Sequence, residues 1–319
     1  MKNIFSKLNL CWIISTTVIL TALTLAMQSG AIGLYYQSTL YTIGINIILA
    51  VSLNLIIGVT GQFSLGHAGF MCIGAYAAAI VTKANPTIAG FLIGVLIGGV
   101  ISAIVALIVA IPTLRLKGDY LAIATLGFSE IVRIVVLNME VTNGAAGLFG
   151  IPKLTTWPLL VICIIVAMLV VLNFSRSAPG RACISIREDE IASEAMGINT
   201  TKYKTIAFVI GAVLAALAGA LYACNFYVVK PDLFTWARSV DILILVVFGG
   251  MGSYTGSVVA AIMIGFINMF LQQFSDIRMI IYGAALVLIM VFRPKGIFGT
   301  KEFTFSALLE KFQKKKEAK

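Results

Sequence analysis

"IAGFLIGVLIGGVISAIVALIVAI", residues 88–111, carries no charged side chain and a single hydroxyl, Ser102. A hydrocarbon core about 30 Å thick takes about 20 apolar residues of helix to cross. Lipid supplies no hydrogen-bond partners to a backbone, so a spanning segment is a helix or part of a closed barrel. The apolar residues here run continuously instead of alternating with polar ones, which selects the helix.

Runs of the same kind recur along the chain. It is 60% hydrophobic and 11% charged, with a mean hydropathy of +1.03. That is too apolar for a soluble domain, although 319 residues would be long enough for one or two. The predicted fold is an all-α polytopic integral membrane protein with about ten transmembrane helices. The expected spans are 10–29, 34–57, 63–82, 88–111, 120–137, 157–173, 205–228, 234–250, 256–273 and 277–293. They form one transmembrane domain over 1–300, followed by a basic tail over 301–319.

The net charge of +10 does not indicate nucleic acid, because the basic residues are sorted by loop. Lys2 and Lys7 precede the first span, and Arg115 and Lys117 follow the fourth. Arg176, Arg181, Arg187, Lys202 and Lys204 lie between the sixth and seventh, and eight more Lys/Arg follow Phe292. Seventeen of 23 basic residues thus fall on one side, which the positive-inside rule makes the cytoplasm, with both termini there. An even span number follows, and it requires a break at "GGMGSYTG", 249–256. A cleaved signal peptide is a competing reading of the first segment, but its apolar run is longer than a usual signal core. Cys11, Cys72, Cys163, Cys183 and Cys224 are scattered without CxxC or metal-ligand spacing and read as small apolar side chains.

The long loop 174–204 holds a charged island, "IREDEIASEAMGIN", 186–199. Early acids suit a helix N-terminus, and Gly197 suits the position just past a helix end. Ile191, Ala195 and Ile198 share an apolar face. The residues alone leave two readings open, a solvated connector and a docking element for a cytoplasmic subunit.

Other polar residues fall inside spans. Glu130 and Arg133, three apart, share a face of the fifth. They form either a mutually satisfied pair that fixes packing or a polar wall of a pathway. Gln62, Ser64 and His67 sit among glycines, where polar residues bond across closely packed helices or line a path. Asn46 and Asn54 share a face of the second span, with the same two readings. One histidine without a carboxylate cluster supports no metal site, and no base or orienting group accompanies it for catalysis. The chain holds no GxxxxGK[ST], so ATP-driven work needs an ATPase supplied in trans. In the tail, Phe305, Leu308, Leu309 and Phe312 recur at i, i+3, i+4 and i+7 in a lysine-rich segment, which leaves open an interfacial helix on an anionic leaflet and a frayed, solvated tail.

Four segments resemble LivM-type permeases, the branched-chain amino acid subfamily of bacterial ABC importers. They are "GQFSLGHAGFMCIGAYAAA" (61–79), "KGDYLAIATLGFSEIVRIVVLN" with "TNGAAGL" (117–148), the stretch "SAPGRACISIREDEIASEAMGINTTKYKTIAFVIGAVLAALAGALYA" (177–223), and "GGMGSYTGSVVAA" (249–261). They come in the family's order and cover roughly 40–297. The resemblance implies a permease subunit, not an enzyme, that works by alternating access. It implies a cytoplasmic docking helix between spans six and seven, with Glu194, Ala195 and Gly197 at the ATPase and Arg187 and Glu188 at the contact's edge. It further implies a paralogous permease subunit, two cytoplasmic ATPases carrying ATP-Mg, an extracytoplasmic substrate-binding protein, and a place in the bacterial cytoplasmic membrane. No cofactor is expected in this chain. Urea, short amides and other amino acids are alternative substrates. The reading from another class is a self-sufficient secondary transporter or channel, for which Glu130 is the expected ion-coupling residue.

Overall fold

Every residue of the helix Leu34–Asn54 (α1) from Ile47 onward is buried, and the burial continues through the π-helical turn Leu55–Val59. A segment this apolar and this enclosed has to be surrounded by other helices. The computed structural model describes residues 33–113, 116 and 118–271, together with the isolated positions 24, 283, 284, 296 and 299. The spans expected at 10–29 and 277–293 and the tail helix lie outside the described residues.

Around α1 stand α2 (His67–Ala84), α3 (Ile88–Thr113), α4 (Asp119–Asn138), α5 (Trp157–Arg176), α8 (Thr200–Phe226), α9 (Trp236–Gly249) and α10 (Tyr254–Leu271). Two short helices, α6 (Ala178–Glu188) and α7 (Glu190–Ala195), fill the loop between α5 and α8. Helix α8 packs on α1, α2 and α3, while α1 also meets α5, α9 and α10.

Small residues set these distances. A Cβ on Gly74 would lie 2.0 Å from the Ala216 carbonyl oxygen, and one on Gly219 would lie 2.0 Å from that of Met71. The backbones of α2 and α8 therefore approach closely, as small residues allow between membrane helices. Helix α3 does the same with one stripe, Gly94, Gly98, Ser102, Ala106 and Ala110, all buried. Its Ser102 hydroxyl donates to the Ala212 carbonyl at 3.0 Å. The opposite face exposes Leu96, Val100, Ile104 and Ile108, which suits lipid and not water.

Among the described residues, six helical stretches are long and apolar enough to cross a bilayer: Leu34–Val59, α3, α4, α5, α8 and α10. Two expected spans differ from their predicted form. The third begins only at His67, because Gly61–Gly66 is non-helical and binds sideways, with the Leu65 N–H donating to Thr125 Oγ1 on α4. The eighth, α9, has 14 residues, about 21 Å of helix. A 3-10 turn, Pro231–Phe234, precedes it, and Gly250 at φ 116° ends it. The break expected at 249–256 is present, as α9 stops at Gly249 and α10 starts at Tyr254.

At the end opposite the 174–204 loop, β1 (Leu148–Phe149) pairs antiparallel with β2 (Val228–Val229). Asn143, at φ 60°, closes the preceding turn by donating from Nδ2 to the Gly147 carbonyl at 3.0 Å.

Candidate functional site

Two glycine turns meet at the end of the molecule that carries the loop. A Cβ on Gly58 would lie 2.4 Å from the Gly252 nitrogen, so only glycine fits there. Asn54 holds the two turns together and is fully buried. Its Nδ2 donates to the Ser253 carbonyl at 2.8 Å and to Ser257 Oγ at 2.7 Å. Its Oδ1 accepts from the Gly252 N–H at 2.8 Å. Both ends of the amide are matched, as a buried polar group requires.

The loop locks onto the same place. Arg187, at the end of α6, donates from Nη1 to the Gly58 carbonyl at 2.5 Å. Its Nη2 pairs with Glu188 at 2.7 Å. The charged island is not one helix, as the sequence reading expects, but two, broken at Asp189 (φ −154°, ψ 111°). The cause is Asp189 itself, which caps α7 by accepting from the Ala192 N–H at 3.0 Å. An Asp preceding its own helix satisfies backbone N–H groups that have no partner within that helix.

Cross-bonds make the loop a block. Ser185 Oγ meets Ser193 Oγ at 2.8 Å, and Lys204 Nζ meets Glu190 at 2.6 Å. Cys183 packs beneath, buried, and burial pushes its thiol up to about 11. Helix α7 closes with Gly197 at φ 84°. The Ile198 N–H bonds the Ser193 carbonyl and the Gly197 N–H bonds that of Glu194, the paired closure of a glycine-ended helix.

The residues expected to face a partner, Glu194, Ala195 and Gly197, are all exposed, and beside them Ile191 is 74% and Met196 83% exposed. Glu194 also accepts from the Thr200 hydroxyl at 2.7 Å, at the start of α8.

The membrane-embedded polar residues are mostly partnered. Glu130 and Arg133 pair at 2.7 Å and are both half-buried. Glu130 also accepts from the Trp236 N–H at 3.0 Å, at the first residue of α9, where a carboxylate complements the helix dipole. His67 Nε2 lies 2.7 Å from Ser52 Oγ. Ser64 Oγ accepts from the Gly66 N–H at 3.4 Å. Gln62 is buried with neither amide atom partnered.

Asn46 accepts from Arg238 Nη2 at 2.7 Å. Arg238 and, one turn on, Asp241 on α9 are half-buried and were missed in the sequence reading. "WARSVD", 236–241, carried the signal, with the three-residue charge spacing already noticed at Glu130 and Arg133. Glu130 is thus not the only acid within the predicted spans. Among the described residues no three His, Cys, Asp or Glu side chains converge as a metal site would need.

Comparison with known proteins gives this architecture a family. Residues 35–290 match the family described as "Branched-chain amino acid transport system / permease component". The permease LivM of a high-affinity branched-chain amino acid transport system in Salmonella typhimurium is 32% identical, over 90% of this chain and 74% of its own length. The LivM protein of Escherichia coli gives the same identity and coverage. The Escherichia coli permease LivH is 24% identical over 80% of this chain and 91% of its own. No solved structure matches. With 256 consecutive positions inside the family match and helices fit to cross a bilayer several times, the chain is a multi-pass membrane protein and belongs to the branched-chain amino acid transport system permease family.

Proposed function

We propose that this chain forms half of the translocation pathway of an ATP-driven importer for branched-chain amino acids, in the bacterial cytoplasmic membrane. The substrate class follows from what the relatives are named for. The observation that carries the coupling is the Arg187 bond to Gly58. It joins the block bearing exposed Ile191, Ala195 and Met196 directly to the junction of the two glycine turns. In this reading α7 docks into a groove on a cytoplasmic ATPase, with Gly197 ending the helix and Arg187 and Glu188 at its inner edge. A paralogous permease, two ATPases that bind ATP-Mg and an extracytoplasmic binding protein complete the machine. Counting α2, α9 and the segments 10–29 and 277–293 with the six long helices gives ten spans, with both termini in the cytoplasm.

Pulling on the loop by the ATPases would move Gly58 and, through Asn54, Gly252 and Ser253 together. Such coupled motion can alternate access only if substrate or nucleotide binds the two states unequally. The test is uptake of labelled leucine, urea and acetamide by the reconstituted complex. Leucine should enter, with the other two at background. Entry of urea or acetamide without leucine would overturn the substrate class.

A further inference from the structure

Helix α9 begins at membrane depth. At its first residue the Trp236 N–H donates to Glu130, near the middle of α4. One half-turn on, Arg238 donates to Asn46, near the middle of α1. From there α9 runs to Gly249, beside the junction of the glycine turns. The outer half of this crossing, 227–235, contains only the strand Val228–Val229 and the turn Pro231–Phe234. One side of it rests on α2 and α8. Phe234 is buried against Tyr76 and Tyr222, and the Val229 carbonyl accepts from the Tyr76 hydroxyl at 3.4 Å. Its other side exposes Lys230, Asp232 and Leu233. Non-helical backbone at this depth persists only where protein or water meets it.

The charges gather on the same flank. Helices α1, α3 and α10 carry no Asp, Glu, Lys or Arg, and α2, α5 and α8 carry them only close to an end. Glu130 and Arg133 on α4 and Arg238 and Asp241 on α9 are different: all four lie within the crossing and are half-buried. Pairing of Glu130 with Arg133 lowers the cost of charge at membrane depth without removing it. The outer faces of α3 and α5 are aliphatic, with Leu96, Ile104, Ile162 and Leu169 exposed. Lipid therefore suits α3 and α5 and does not suit the α4–α9 flank.

We propose that this flank, with Asn46, Glu130, Arg133, Arg238 and Asp241, is the chain's wall of a water-filled translocation path that opens past 227–235 to the extracytoplasmic side. The proposal deepens the permease reading above and rests on it. Two acids and two arginines leave the wall without net charge, which suits a solute bearing one charge of each sign. The inner end of α9 belongs to the junction, where Asn54 Nδ2 also reaches the Gly250 carbonyl at 3.4 Å. Motion passed to the junction by the loop thus reaches the wall through α9.

The test is thiol labelling of the complete complex in proteoliposomes, with ATP and the ATPases inside and leucine-loaded binding protein outside. A methanethiosulfonate reacts with the thiolate, and a thiol facing lipid stays protonated. Ala237→Cys places a thiol on the exposed side of α9, and Ile104→Cys on the lipid-facing side of α3, where Ile104 is 53% exposed, is the control. Labelling of the parent chain, with its own cysteines, is subtracted. A membrane-impermeant trimethylammonium methanethiosulfonate added outside should react at Ala237→Cys about tenfold or more faster than at Ile104→Cys. Leucine uptake by the labelled Ala237→Cys complex should then fall several-fold relative to its own unlabelled rate. Equal reaction at the two positions would overturn the proposal by removing the water. Fast labelling that leaves uptake unchanged would overturn it by placing the flank outside the path. In both cases import by the parent complex is intact, whereas absence of leucine import by the parent would remove the reading on which the proposal rests.

Discussion

The Asn54 amide joins two turns that lie far apart in sequence, at 58 and at 252–257. Interhelical hydrogen bonds in membranes average about 0.6 kcal/mol each, so the three short ones amount to roughly 2 kcal/mol. Asn54→Leu keeps the volume and removes all of them, leaving the Gly252 N–H without its Asn54 partner, while the Ser253 carbonyl keeps the Ser257 N–H and hydroxyl. We expect thermal stability to fall by about that amount and transport per folded molecule to drop several-fold, measured by melting in detergent and by uptake. Uptake at the wild-type level would mean that the amide serves packing only. The sequence makes Asn54 legible as a polar residue inside a span, with neighbour-bonding favoured over path-lining. Its partners were not legible, because nothing in "GGMGSYTG" marks which helix it touches. Arg238 and Asp241 were legible by their spacing and were overlooked. Gln62 could not be read as unpartnered, since that depends on what α4 and α6 bring near it.

At the scale of elements, the long apolar helices follow directly from composition, and α3 to α5 begin and end within a few residues of expectation. The short ones do not. Hydropathy averages over a window and therefore merges the Pro231–Phe234 turn with α9. It likewise hides the non-helical run before His67, in which the Leu65 N–H bonds to Thr125 on α4. The charged island reads as a helix because its acids and its Gly197 suit opposite ends of one. Asp189 splits it by capping α7 in place of continuing α6.

That split decides which substitutions test docking. Gly197 sits at φ 84°, so a large residue there would strain the loop whether or not an ATPase binds. Ala195→Trp and Met196→Asp alter exposed side chains and leave the cap alone. Both should preserve expression and melting temperature. Each should weaken co-purification of the ATPases by tenfold or more, since a clash or an unpaired charge at an interface costs several kcal/mol. Full retention of the ATPases in both variants would make α7 a solvated connector.

Across the whole molecule, a largely buried α1 and α8 are surrounded by more exposed apolar helices, of which α3 turns a stripe of small residues inward. Small-residue packing gives such an assembly rigid blocks that meet at glycines, and the loop is bonded to one of those meeting points. The central claim is that import is driven through this loop by ATPases bound in trans. A self-sufficient transporter would instead need an ion-coupling residue. Glu130 is held by Arg133 and by the start of α9, and Asp241 is the other acid within the spans that such a mechanism would have to use. The most direct measurement is leucine uptake by the reconstituted complex with ATP and the energising gradient varied independently. The account predicts uptake that requires ATP inside and continues when a protonophore collapses the proton gradient. Uptake that persists without ATP and stops with the protonophore would contradict it.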